Sequence, residues 1–154
     1  MSFHIVLVEP EIPANTGNIS RTCAATGSIL HLVRPLGFST DDRYMKRAGL
    51  DYWDSVKLHY HDSFEELVQM LSGHRFFLAT TKANRSYHEF EYQDGDVFVF
   101  GKETKGLAPH ILEQFPETLI RVPIGDTVRS LNLSNAVAIV LFEGLRQVGF
   151  PNLS

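Results

Sequence analysis

The feature that most constrains this chain is the regular alternation of short, continuously apolar segments with segments of helical character. Residues 3–8 (FHIVLV) and 97–100 (VFVF) are apolar or β-branched with almost no polar alternation, and each is closed by turn residues. A strand that is apolar on both faces must be covered on both faces, which is the condition of a parallel sheet between helices. Further strands are expected at 29–33, 55–60, 75–80 and 118–124. Helices are expected between them. One is capped by Asn15 or Thr16 and runs to about Thr26 with Gly27 as its stop; a short one spans 41–49; one opens with the capping box Ser63 and Glu66; one runs from Pro109 to about Phe115; and the longest covers 130–148. The order β-α-β-α-β-α-β-β-α-β-α predicts an α/β fold, a mostly parallel sheet with helices on both faces. Ligands in such sheets bind beyond the carboxyl ends of the strands, so the loops after Val8, Thr80, Phe100 and Ile124 are the places to look.

A chain of 154 residues suits one domain, taken as 1–154. Its formal charge of −4 is not that of a general nucleic-acid binder, so any RNA must be held by a local basic patch. Cys23 is the single cysteine, which excludes an intrachain disulfide; in its small, apolar neighbourhood it reads as a buried hydrophobe. No leader or membrane-length apolar run is present, so a cytoplasmic protein is expected, and the sequons at Asn18, Asn84 and Asn132 carry no meaning.

Three clusters could carry chemistry. The first is Asn15-Thr16-Gly17-Asn18-Ile19-Ser20-Arg21-Thr22. It serves as a helix start, but Arg21, one turn past Gly17, could also grip a phosphate with its planar fork. The second is Gly101-Lys102-Glu103-Thr104-Lys105-Gly106-Leu107, two glycines after a buried strand, where backbone can approach a ligand closely. It half matches a P-loop, but Leu107 and Ala108 stand where Lys and Ser/Thr are required, which argues against an ATPase or GTPase. The third runs from Ile120 through Gly125 and on through Arg129-Ser130-Leu131-Asn132-Leu133-Ser134-Asn135. Ser130, Asn132 and Ser134 are all good caps, and one helix needs only one.

No dinucleotide fingerprint and no G-x-S-x-G elbow occurs, which weakens oxidoreductase and hydrolase readings. The seven histidines are scattered; His59-x-His61 alone is close-spaced, and without partners at ligand spacing these two read as surface histidines, with no metal site.

Together, in this order, the clusters resemble the three signature motifs of the SPOUT (alpha/beta-knot) methyltransferases, and most of all the small TrmL-type (YibK-like) tRNA wobble-nucleotide 2′-O-methyltransferases. The resemblance covers essentially the whole chain, including EPEIPANTGNISR, AGLDYW and SLNLSNAVAIV. It implies a C-terminal deep trefoil knot and a homodimer whose interface takes surplus apolar surface from Leu133, Val137, Val140, Leu141 and Leu145. It implies S-adenosylmethionine as cofactor, held by Ala79, Thr80, Gly101, Lys102, Glu103, Gly106, Val122, Ile124, Ser130, Leu131 and Leu133. It implies a catalytic set of Asn15, Arg21, Glu103, Ser130 and Asn132, and the anticodon stem-loop of a tRNA as substrate.

The basic residues offered for RNA contact are Arg21, Arg43, Lys46, Arg47, Lys82, Arg85, Lys105 and Arg129, though on an acidic chain such residues also serve solubility. Two other readings stay open: the same chemistry on ribosomal RNA, and a non-catalytic RNA-binding relative.

Overall fold

The computed structural model describes residues 2–39 and 55–154; the expected helix at 41–49, the AGLDYW segment and Arg43, Lys46 and Arg47 lie outside the described residues. Among the described residues, six strands form one parallel sheet: β1 (His4–Val8), β2 (Ile29–Val33), β3 (Lys57–His61), β4 (Phe76–Ala79), β5 (Val97–Phe100) and β6 (Leu119–Ile120). Their order across the sheet is β3-β2-β1-β5-β4-β6, every pairing parallel. The chain works outward from β1 to β3 and then returns to the other side, so β1 and β5 lie side by side where the winding reverses. The crevice beyond the carboxyl ends of such a strand pair is where a parallel sheet leaves room for a ligand.

Side-chain alternation along β1 divides the core. Ile5 and Leu7 face one layer, with Ile19 and Cys23 of α1 (Pro13–Thr26) and Val137, Val140, Leu141 and Leu145 of the C-terminal helix α4 (Leu133–Gln147). Val6 and Val8 face the other, with Phe64 and Leu67 of α2 (Phe64–Met70) and Ile111 and Leu112 of α3 (Pro109–Leu112). The sheet is thus covered on both faces, as its apolar strands require. Leu141 is wholly buried, and its truncation to Ala is expected to cost about 2–5 kcal/mol. Cys23 is equally buried, and burial pushes its thiol up to about 12, as befits an inert core residue.

Local signals explain most boundaries. The Ser63 hydroxyl accepts the Glu66 N–H at 3.1 Å and starts α2. Gly27 adopts φ 71°, and its N–H closes α1 on the Cys23 carbonyl. Other expectations need correction. Helix α1 begins at Pro13 rather than at an Asn15 or Thr16 cap, because proline lacks the N–H that a first-turn residue would leave unpaired. Helix α4 begins at Leu133, not residue 130, with Asn132 as its cap. Strand β6 is only Leu119–Ile120; beyond it Arg121 makes a single bridge to Ser86, and Pro123 has no N–H to continue a ladder.

Two expectations about surfaces also change. Val137, Val140, Leu141 and Leu145 fill this chain's own core, and the apolar side chains that α4 leaves outside are Ile139 and Phe142, the latter 45% exposed. The histidines are not all superficial either. His4, His31 and His61 are buried on β1, β2 and β3, joined by hydrogen bonds of 2.9 Å between His4 Nδ1 and His31 Nε2 and between His31 Nδ1 and His61 Nε2. Of the expected pair, His59 alone is exposed.

Candidate active site

The loops leaving β1 and β5 meet beyond the carboxyl ends of those strands. Glu103, in the loop after β5, turns its carboxylate onto the entry of α1. Its oxygens accept the backbone N–H groups of Glu11 and Ile12 at 2.8 Å each, and the Asn15 side-chain amide at 3.2 Å. Ile12, the residue before Pro13, has no side chain with which to cap the helix. Glu103 therefore satisfies from the distant loop what a local acidic cap would otherwise supply.

Asn15 carries the connection onward. It is buried, and its carbonyl oxygen accepts from the Asn132 side-chain amide at 3.1 Å. The carbonyl of Asn132 meanwhile caps α4, accepting the Ser134 and Asn135 N–H groups at 2.9 and 3.4 Å. One unbroken series of side chains, Glu103 to Asn15 to Asn132, thus joins all three sequence clusters. Asn132 is both the helix cap and the partner of Asn15.

The loop between Gly101 and Gly106 folds back on itself. A Cβ on Gly101 would sit 2.1 Å from the Gly106 carbonyl carbon, so no larger residue fits there without moving the loop. Gly106 takes φ 68°, in the left-handed region where glycine is favoured, and a Cβ there would meet nothing within 4 Å. The same openness holds at Gly125. Backbone at these positions is uncovered, as a ligand approaching the main chain needs.

Thr80 ends the neighbouring strand, its N–H donating to the Ile120 carbonyl at 2.9 Å. Ala79 closes β4 and Thr80 follows it, while the loop 101–106 follows β5 and the segment from Val122 to Leu131 follows β6, three adjacent strands of the sheet. Val122 and Leu133 pack against the core, Ile124 and Leu131 are half-buried, and Ser130 is exposed. That collection can hold an extended ligand through backbone groups and an apolar wall, which fits the adenosine and amino-acid parts of S-adenosylmethionine.

Arg21 is exposed on α1, on the helix whose buried side carries Asn15, Ile19 and Cys23. Lys82, Lys105 and Arg129 are exposed on the surrounding loops. Arg85 is differently placed. Its guanidinium lies 3.9 Å over the Phe90 ring and donates to the Glu89 carbonyl, in a cavity lined also by Arg75 and Phe77. Among the described residues no group of His, Cys, Asp or Glu is placed to hold a metal ion, and no helix is long and apolar enough to cross a membrane.

Sequence reasoning missed two residues here. Glu9 stands at φ 53° and takes a salt bridge from Lys102 at 3.4 Å. Glu11 accepts from Thr104 through one carboxylate oxygen, at 3.1 Å from the N–H and 2.8 Å from the hydroxyl. The only signal for them was the acidic pair flanking Pro10 directly after a strand.

The profile of the SpoU rRNA Methylase family matches residues 2–142. The chain belongs to this family. The tRNA (cytidine(34)-2'-O)-methyltransferase of Methylovorus glucosotrophus is 51% identical over 96% of this chain and 97% of its own. A solved structure described as giving structural insights into the 2-OH methylation of C/U34 on tRNA superposes with a TM-score of 0.89, at 43% identity over 96% of both chains. The AdoMet-bound rRNA methyltransferase of Sinorhizobium meliloti has a TM-score of 0.84 and 25% identity, over 96% of this chain and 57% of the other. The six-stranded parallel sheet and its flanking helices are therefore the SpoU-type architecture.

Proposed function

We propose that this protein is a tRNA (cytidine/uridine-34-2′-O)-methyltransferase, one domain over 1–154, that methylates the wobble ribose in the anticodon loop. The observation that carries the reading is the hydrogen-bonded series Glu103, Asn15 and Asn132, which unites the loop suited to a cofactor with the helix that bears Arg21. The relative from Methylovorus glucosotrophus and the C/U34 structure support the choice of wobble position. Unstacked bases of an anticodon loop are the kind of RNA that proteins read specifically.

In this reading Ala79, Thr80, Gly101, Lys102, Gly106, Val122, Ile124, Ser130, Leu131 and Leu133 surround S-adenosylmethionine, which supplies an electrophilic methyl group on a sulfonium. Displacement at that carbon depends chiefly on alignment of the acceptor hydroxyl. Glu103, Asn15 and Asn132 hold the two sides of the site in register. A guanidinium stays protonated in proteins, so Arg21 is not a base; it grips the phosphate beside the target ribose and stabilises developing alkoxide character, while that phosphate or a water takes the proton of the 2′-hydroxyl. Lys82, Lys105 and Arg129 steer the RNA backbone.

The protein works as a homodimer in the cytoplasm, with Ile139 and Phe142 of α4 supplying apolar contact. The chain leaves edge strand β6 and returns beside α1; in this reading it does so through the C-terminal trefoil knot that the resemblance to SPOUT methyltransferases implies. Methyl transfer from labelled S-adenosylmethionine to a synthetic anticodon stem-loop tests the function. Transfer is expected to the loop with a wobble 2′-hydroxyl and not to the same loop carrying a wobble 2′-deoxyribose. Equal labelling of both would move the target elsewhere.

A further inference from the structure

Glu11 lies in the loop after β1 and is no part of the residue set above. Its backbone N–H is held by Glu103, while its own carboxylate reaches the opposite way and accepts two hydrogen bonds from Thr104. The two loops are therefore clasped reciprocally, each giving a carboxylate to the other's backbone. Behind Glu11 the chain is also braced. A Cβ on Gly37 would lie 3.0 Å from the Glu11 Cα, and the Gly37 N–H donates to the Pro10 carbonyl at 3.0 Å. Beside it, the Lys102 to Glu9 bridge ties the same two loops a second time.

We infer that Glu11 is a positioning residue: its carboxylate locks the loop 101–106 to the start of α1, so that cofactor binding and the setting of Arg21 are coupled. The inference rests on the reading of that loop as part of the cofactor site. Without the Glu11 carboxylate the loop can still hold a ligand, but Glu103 and the Lys102–Glu9 bridge are left to carry the coupling, so ordering the loop orders the helix entry less and alignment between the two reaction partners is loosened. Gln at this position keeps an acceptor oxygen for Thr104, whereas Ala keeps none.

The test is hydrogen exchange by mass spectrometry with and without S-adenosylhomocysteine, alongside turnover, for the wild type, Glu11→Ala, Glu11→Gln and Thr104→Val. In the wild type the ligand is expected to slow exchange both in 101–107 and in 11–20. Glu11→Ala retains the first effect, clearly weakens the second and lowers kcat about tenfold with little change in KM for RNA. Glu11→Gln restores both. Thr104→Val, on an exposed residue, gives a partial loss, and the double variant is no worse than Glu11→Ala alone, as one shared interaction requires.

Slowing confined to 101–107 in the wild type overturns the coupling and leaves the cofactor site standing. Wild-type kcat in Glu11→Ala does the same. Ligand binding with no slowing in 101–107 overturns the cofactor site and the coupling with it.

Discussion

Asn132 and Asn15, far apart in the chain, are hydrogen-bonded side chain to side chain, the Asn132 amide donating to the Asn15 carbonyl at 3.1 Å. Because Asn132 also caps α4, its two tasks can be separated by substitution. Asn132→Ser retains a capping oxygen, while Asn132→Ala loses one and should cost about 1 kcal/mol of stability. Both break the link to Asn15. Turnover is expected to fall alike in the two variants while only the Ala variant loses thermal stability. Full turnover in Asn132→Ser would show that the cap alone matters.

Arg21→Lys keeps the charge and loses the planar fork. Arg21 is exposed, so the fold should be untouched. We expect kcat/KM for RNA to drop at least roughly tenfold, with affinity for S-adenosylhomocysteine unchanged. Near-wild-type turnover in this variant would remove the phosphate-gripping role.

Gly101→Ala should abolish the stabilisation that S-adenosylhomocysteine gives in a thermal shift, since the added carbon would lie 2.1 Å from the Gly106 carbonyl carbon and displace the loop. Gly125→Ala, where nothing lies within 4 Å of the added carbon, is its control and should leave stability without ligand unchanged. Equal ligand stabilisation in the wild type and Gly101→Ala would place the cofactor away from this loop.

The buried imidazoles make stability depend on acidity. Burial, reinforced by neighbouring histidines, lowers His4 to about 4 and His31 to about 3, and burial lowers His61 as well. The charged neighbours act in both directions: Asp94 opposes the shift at His4, Glu66 and Asp62 oppose it at His61, and Arg34 adds to it there. Because the folded state keeps these rings neutral, their contribution is complete above the unfolded value of about 6.5 and is lost as the pH falls from there toward about 3. His4 and His31 each contribute a slope of up to about 1.4 kcal/mol per pH unit between about 6.5 and their lowered values of about 4 and about 3. Denaturant melts at pH 7.5 and 5 should show the loss, and His31→Leu should flatten it. A slope unchanged by His31→Leu would assign the acid sensitivity to other groups.

Much of this was legible in the chain because it is governed by local rules. Continuous apolar runs such as VFVF announce strands buried on both faces, and helix ends are marked by the Ser63 hydroxyl and the left-handed backbone of Gly27. The histidine chain was not legible, because His4, His31 and His61 meet only through the registers of three separate strands. The start of α1 was misread for a similar reason: its acidic partner is Glu103, which lies in another loop. The surplus of cap residues at Ser130, Asn132 and Ser134 did point to a second task, but only the fold reveals that Asn132 performs it with Asn15. The interface residues expected on α4 come from the resemblance, whereas Val137, Val140, Leu141 and Leu145 are taken by this chain's own core.

The most direct test of the account is nucleoside mass spectrometry on tRNA lacking wobble 2′-O-methylation, after incubation with this protein and S-adenosylmethionine. The account predicts new 2′-O-methylcytidine or 2′-O-methyluridine mapping to the wobble nucleotide, absent with Arg21→Ala. A protein that binds the cofactor yet leaves the wobble ribose unmethylated, or an Arg21→Ala variant that methylates it as fast as the wild type, would contradict the account.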